Sequence, residues 1–276
     1  MSINLNTLTI KNNVIFTIVM SRENLAKKCL ECILGKKIRE ISYIETEKTN
    51  EISVDVRGVR LDVYCENEDA LYNIEMQAFP MNDLPKRSRY YQDMMDMILL
   101  KKGESYDVLK KNIVIFICTF DPFEQGRHIY TFENRCTEDT SIRLEDESTK
   151  IFLNTKGTLD DIPKPLHMFL EYIETGNALD EYTKELDQAV AEVRTDEKWR
   201  KPIMTMEMYI KDRETIAKSE GIEEGIKEGV KQGIKDEQRA TAFRMIAAGM
   251  PEESIRIATA LTEEEFRLIN ADYHSK

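Results

Sequence analysis

An α/β fold, a sheet flanked by helices with a helical C-terminal extension, is what this sequence predicts, and three observations predict it. Two short apolar runs, Val59 to Cys65 and Leu71 to Phe79, flank an acidic turn. A nearly continuous apolar run, Asn112 to Phe120, follows one helical stretch later. After Ile210 the composition changes to a repeat with glycine at every fourth position. Short β-branched and aromatic runs bounded by turn residues read as strands, whereas apolar positions recurring near every 3.6 residues read as helices.

Taken in order, Ser21 to Ile38 reads as an amphipathic helix, with Ser21 able to cap it, Leu25, Cys29, Cys32 and Ile33 near helical spacing, and Gly35 near its end. Ile41 to Glu47 and Ile52 to Val56 alternate as strands and lead into the two apolar runs, which pair as a hairpin through Glu66, Asn67, Glu68 and Asp69. Pro85 opens the next helix, which runs to about Lys102 and stops at Gly103. Tyr91, Met94, Met95, Ile98 and Leu99 lie on one side of it, and Met97 is read as packing with Met94 and Met95. Tyr90 and Tyr91 are adjacent and cannot share a helical face, so one of them belongs to the core.

Asn112 to Phe120 is expected to be a strand covered on both faces. HIYTFENRC and KIFLNTKG are two further strands around an acidic loop at 138–147. Pro163 and Pro165 open a helical region with Leu166, Phe169, Leu170, Tyr172 and Ile173 at helical spacing, and Trp199, the single tryptophan, is expected to anchor a later helical segment to the core.

In the C-terminal part, Gly221, Gly225, Gly229 and Gly233 are each followed by Ile222, Ile226, Val230 and Ile234. Glycine costs a helix about 1 kcal/mol each, so two readings stand side by side: a flexible helical spacer, or a stripe for self-association. Gly249, Pro251 and the Thr262–Glu265 capping pair then punctuate two or three short helices. The domain expectation is 1–205 for the α/β core, 206–240 for the glycine-repeat tail and 241–276 for a small helical element.

The formal net charge of −12 argues against generic nucleic-acid binding, although Lys86, Arg87 and Arg89, Lys101 and Lys102, and Lys110 and Lys111 form a local cationic series. No apolar stretch approaches the roughly 18 residues of a membrane span, and the N-terminus lacks an export pattern, so a soluble, cytoplasmic protein is expected. The cysteines Cys29, Cys32, Cys65, Cys118 and Cys136 are an odd set read as reduced thiols, and the Cys29–Cys32 spacing has no second pair to complete a zinc site.

Chemistry concentrates at Asp62, Glu75 and Gln77. In a strand, residues two apart share a face, so Glu75 and Gln77 project together, and the hairpin brings Asp62 beside Glu75. Both carboxylates fall among apolar neighbours, where a charge needs either water or a cation. Two carboxylates at a sheet edge suit a hard divalent ion, and hydrolysis of an anionic phosphodiester needs such an ion.

Asp62, thirteen residues on Glu75, then Gln77 resembles the PD-(D/E)xK nuclease superfamily pattern. RLDVYCENEDALYNIEMQAFP, LPKRSRYYQDMMDMILLKKGESYDVLK and NIVIFICTFDPF resemble its branch of recombination-promoting nucleases and putative transposases, over roughly Leu8 to Arg200. The resemblance implies a restriction-endonuclease-like mixed sheet flanked by helices, with a helical C-terminal extension. It also implies hydrolysis of DNA dependent on Mg²⁺, with Mn²⁺ an alternative, in recombination, mobile-element biology or defence. Asp62, Glu75 and the Met76 carbonyl would hold the metal, and Gln77 would position water. Lys86, Arg87 and Arg89 would meet double-stranded DNA, and the helical tail would serve a homo-oligomer; no membrane partner is expected.

Two departures from the pattern are visible. Asn13 in LTIKNNVIF stands where an early acidic residue is expected, and Gln77 stands in place of lysine, although some active restriction endonucleases carry glutamine there. The rival reading is therefore a nuclease-fold protein without activity that serves as a DNA-binding or protein-interaction module.

Overall fold

The computed structural model describes residues 7–41, 43–50 and 59–274. The chain divides into two compact units, Met1–Met206 and Glu207–Lys276. In the first unit the elements run α1 (Asn13–Met20), α2 (Glu23–Leu34), β1 (Tyr43–Asn50), β2 (Val59–Glu66), β3 (Ala70–Gln77), α3 (Leu84–Leu99), β4 (Lys111–Cys118), β5 (Ile129–Phe132), β6 (Ser148–Asn154), α4 (Lys164–Thr175) and α5 (Glu181–Thr195). The division falls within α6 (Glu197–Ala247), after which come α7 (Glu252–Thr259) and α8 (Glu263–His274).

Among the described residues six strands form one mixed sheet in the order β1-β2-β3-β4-β6-β5. β1, β2 and β3 pair antiparallel, β3–β4 and β4–β6 pair parallel, and β5 returns antiparallel on β6. Parallel neighbours need a crossover, and α3 supplies it between β3 and β4. The restriction-endonuclease-like α/β architecture expected from the sequence is the one observed, with helices on both faces of the sheet.

The two faces have separate cores. On one, Val63, Tyr72, Ile74, Met76, Ile115 and Ile117 pack with the apolar sides of α1, α2, α4 and α5. On the other, Tyr64, Leu71, Phe116 and Phe152 pack with Leu84, Tyr91, Met94 and Met95 of α3. β3 lies between them, buried along its whole length.

The hairpin turn is built by Asn67, whose Oδ1 accepts from the backbone N–H groups of Asp69 (3.0 Å) and Ala70 (2.7 Å). Such an Asx arrangement makes a short polar turn without glycine. α2 stops at Gly35, which takes φ +64°, a conformation that favours glycine.

Several expectations are corrected. Residues 13–20, to which the sequence reading assigns no element, form a helix; residues 14–20 are all buried, and a helix covered on every side needs no polar stripe. Ser21 closes α1 through Oγ to the Ile18 carbonyl (2.7 Å) rather than capping α2, whose preceding residue is Arg22. α5, begun by a reciprocal Asp180–Thr183 capping box, was not assigned from the sequence. Met97 is 53% exposed while Met94 and Met95 are buried, because position 97 falls on the outer side of α3. Of the adjacent tyrosines, Tyr91 is the core residue. β3 ends at Gln77, and Phe79 is exposed, just ahead of Pro80, which has no N–H for a ladder. The strand expected at Ile52 to Val56 lies outside the described residues.

Trp199 packs against the first core as expected. In the second unit, Ala242 of α6, Ile255 of α7 and Phe266 of α8 form a small core. Thr262 and Glu265 exchange the capping contacts expected of them. The glycine repeat lies within the 51-residue α6, and Ile222, Ile226, Val230 and Ile234 are exposed along it. Among the described residues no helix is long and apolar enough to cross a membrane.

Candidate active site

The site lies on the α3 face of the sheet, where β2 and β3 run side by side. Their pairing runs from Glu66–Leu71 to Val63–Ile74, and the same register continued by one step sets Asp62 opposite Glu75. There, side chains take up the main-chain donors. The Asp62 N–H donates to Glu75 Oε1 (3.0 Å), and the Met76 N–H donates to Asp62 Oδ2 (3.4 Å). The expected meeting of the two carboxylates is therefore present, and each carboxylate is fixed by the other strand's backbone.

Glu75 is only 3% exposed. Its Oε1 also accepts from Asn73 Nδ2 (2.9 Å), two residues earlier on the same face. Burial, followed by the nearby Asp62 charge, pushes the Glu75 carboxyl well above the ordinary glutamate range, against the opposing pull of these hydrogen bonds and of Arg87. Asn73 Oδ1, on the same amide, is buried without a hydrogen-bond partner among the described residues. A buried acceptor left in that state costs about 1–3 kcal/mol, which marks this face as one not optimised for stability alone.

Gln77 is fixed at both ends of its amide: Nε2 donates to the Phe79 carbonyl (2.8 Å) and Oε1 accepts from Arg87 Nη1 (3.1 Å). Arg87, one turn into α3, points back over the sheet. Its Nη2 donates to Tyr91 Oη (2.7 Å) and lies 3.8 Å from Glu75 Oε2. Tyr91 stacks on Phe116, and burial, with Glu75 next in weight, pushes the Tyr91 hydroxyl up to about 12, so it stays a neutral phenol.

The other expected residues divide. Lys86 and Arg89 sit on the exposed side of α3 and take no part in this cluster. Met76 contributes backbone to the site, while its side chain belongs to the opposite core. The expected cationic series is partly neutralised: Lys110 pairs with Glu66 and Lys111 with Glu147. Asn13 is the first residue of α1, and its neighbour Asn12 caps that helix by accepting from the Ile15 N–H (3.0 Å). Asn73 is not singled out by the sequence reading, and Tyr91 is read there as a core candidate and not as part of the site. The signals that could have found them are the period of two from Glu75 and the i, i+4 spacing from Arg87.

A family model described as PD-(D/E)XK nuclease family transposase matches residues 12–229, well over half the chain. The chain belongs to that family. No curated protein and no solved structure matches it. The family is one of nucleases, so a hydrolase acting on DNA is the activity it carries, and its members generally use divalent metals.

The donor set fits such an ion. It is all oxygen, it offers two facing carboxylates, and one of them is buried with two hydrogen bonds and a guanidinium at 3.8 Å that do not outweigh its burial. Among the described residues no three His, Cys, Asp or Glu side chains gather into a metal-binding group, so water and main-chain oxygen would have to complete the coordination. Magnesium commonly keeps several waters and takes one or two carboxylates, which suits a two-carboxylate site.

Proposed function

We propose that this protein is a divalent-metal-dependent DNA endonuclease that hydrolyses phosphodiester bonds of double-stranded DNA in recombination, mobile-element activity or defence. The observation that carries the reading is Glu75, a carboxylate 3% exposed and set against Asp62 in a chain of a nuclease family. A protein keeps such a buried charge pair at a cost in stability, and a bound cation repays it. Asp62 and Glu75 would hold the ion, Mg²⁺ or Mn²⁺, and the Met76 carbonyl would add an oxygen. When bound, the ion neutralises charge growing on the phosphate and makes hydroxide available near neutral pH.

The protein's own groups do the rest. Asn73 holds Glu75 through Oε1 and leaves Oε2 to the site, while the backbone N–H of Met76 orients Asp62. Lys86 and Arg89 on the exposed face of α3 meet DNA phosphates, a role suited to solvated cations. The chain works in the cytoplasm, where its five cysteines, all free, remain thiols. The helical tail beyond 206 serves assembly and not the chemical step.

One observation favours the second reading, a binding module on an inactive nuclease fold: both ends of the Gln77 amide are already engaged. A single assay separates the two. Purified protein is expected to nick supercoiled plasmid with Mg²⁺ or Mn²⁺ and not with chelator. Asp62→Ala and Glu75→Ala proteins that melt cooperatively are expected to lose on the order of 10²–10³-fold or more in rate. Undiminished cleavage by both variants would remove this site from the reaction, and DNA binding without nicking by the parent protein would establish the module.

A further inference from the structure

Gln77 stands where the superfamily pattern has a lysine, yet the space at the end of its side chain holds a positive charge. Arg87 Nη1 lies 3.1 Å from Gln77 Oε1, and a lysine side chain is one atom longer than glutamine. An ammonium at position 77 would therefore reach the place the guanidinium now occupies.

The guanidinium is held there from several sides. Nη2 donates to Tyr91 Oη, Nη1 also contacts Met81 Sδ (3.3 Å), and the charge sits over the rings of Tyr91 (5.4 Å) and Phe116 (5.7 Å). Two aromatic faces favour a cation at that point and keep water from one side of it. The Arg87 side chain is still 26% exposed, so part of the fork opens outward. Gln77 and Met81 engage both N–H groups of Nη1 and Tyr91 engages one of Nη2, which leaves the Nε N–H and the second N–H of Nη2 to a phosphate.

We propose that Arg87 is the catalytic cation of this site: it is delivered from α3 in place of a strand lysine and contacts the scissile phosphate, with Gln77 and Tyr91 as the residues that position it. This rests on the endonuclease reading above and deepens it. It also reassigns Gln77, whose amide orients the arginine and not the attacking water. The charge balance agrees, since the carboxylates of the site repel a phosphate, and a fixed guanidinium 3.8 Å from Glu75 Oε2 offsets part of that charge. A planar fork suits the purpose because it can bind glutamine, tyrosine and phosphate at once, which a single ammonium does less well.

The test uses full-length protein, with single-turnover cleavage in Mg²⁺ and equilibrium binding of duplex DNA in Ca²⁺ across a salt series. Arg87→Gln, which keeps polar contacts and removes the charge, is expected to lower the cleavage rate by about 10²-fold. Its plot of log affinity against log salt should be shallower by about 0.9, the slope of one lost phosphate contact. Moving the charge back to the strand, in an Arg87→Gln, Gln77→Lys double variant, is expected to recover at least about tenfold of the rate and the salt slope. Tyr91→Phe should lower the rate several-fold with the slope unchanged, as a positioning residue would.

Asp62→Asn separates the two levels of the argument. If it cleaves like the parent protein, the endonuclease site itself is wrong. If it is inactive while Arg87→Gln cleaves within about threefold of the parent and keeps the full salt slope, Arg87 is a structural residue and the inference fails alone. Should Arg87→Gln not fold, Arg87→Lys decides: restored folding with turnover within about tenfold and a full salt slope supports the role of the charge, and restored folding without turnover overturns it.

Discussion

The two faces of β3 are built to different rules although every residue of the strand is buried. One face, with Ala70, Tyr72, Ile74 and Met76, is apolar throughout and closes against α1, α2, α4 and α5. The other begins with Leu71 and continues with Asn73, Glu75 and Gln77, each of them at most 9% exposed. Equal burial thus has opposite energetic signs within one strand. The apolar face gains from leaving water, while the polar face needs Asn73, Arg87, Tyr91 and two backbone N–H groups to offset the loss of hydration. The lesson is that burial alone does not mark a core position; what matters is whether the buried group has been given partners, and Asn73 Oδ1 shows that here the partnering is incomplete.

The comparison breaks most severely on the apolar face. Ile74→Ala removes a side chain with no exposure from the packed core, and is expected to destabilise the protein by about 2–5 kcal/mol in urea denaturation. Cleavage per folded molecule should persist, because the substitution leaves the α3 face untouched. A loss below about 1 kcal/mol would mean that this face is far less tightly packed than its burial indicates.

A substitution on the polar face should act in the opposite direction. Glu75→Gln keeps the shape and an acceptor for Asp62 and Asn73 while removing the buried charge. The Glu75 carboxyl is raised in the folded state by burial and by Asp62, so the folded protein holds a proton that the unfolded chain has released. Stability therefore falls as pH climbs from the ordinary glutamate range through the raised folded value. Near pH 4, roughly the unfolded glutamate value, the variant and parent should melt at about the same temperature; near pH 8 the variant should melt higher. It should also cleave nothing. A variant that melts lower than the parent at the higher pH would show that the carboxylate is stabilising as it stands.

The smallest effect is expected far from either face. Gly225 lies within α6 with nothing within 4 Å of an added Cβ, so Gly225→Ala should strengthen the helix by about 1 kcal/mol, visible as increased helicity in circular dichroism. Plasmid cleavage should not change. A fall in cleavage would bring this stretch into DNA engagement. The same substitution at Gly157 has no such freedom, since its Cβ would come within 2.5 Å of the His128 ring.

Much of this was legible in the sequence wherever the relevant interaction is short in range. The pairing of Asp62 with Glu75 follows from strand alternation and from a turn that Asn67 closes over a few residues. The start of α3 at a proline, its apolar side at Tyr91, Met94 and Met95, and the Thr262–Glu265 cap are local in the same sense. Local signals failed where a segment is enclosed. Residues 13–20 carry no amphipathic period, so the sequence reading assigns them no element, and they are helical with neighbours on every side that remove the need for a polar stripe.

The sequence by itself determined which residues carry the chemistry, because carboxylates spaced by a hairpin are brought together by the strand period alone. Only the tertiary structure decided their state. That α3 crosses this face of the sheet is what buries Glu75, turns Arg87 inward to Gln77 and leaves Lys86 and Arg89 outside. Nothing in the spacing of lysines and arginines distinguishes these three, since on a helix one residue of rotation separates a side chain held over a buried carboxylate from one in water. Hydration and charge compensation depend on all the groups surrounding a site, and those are assembled from distant parts of the chain.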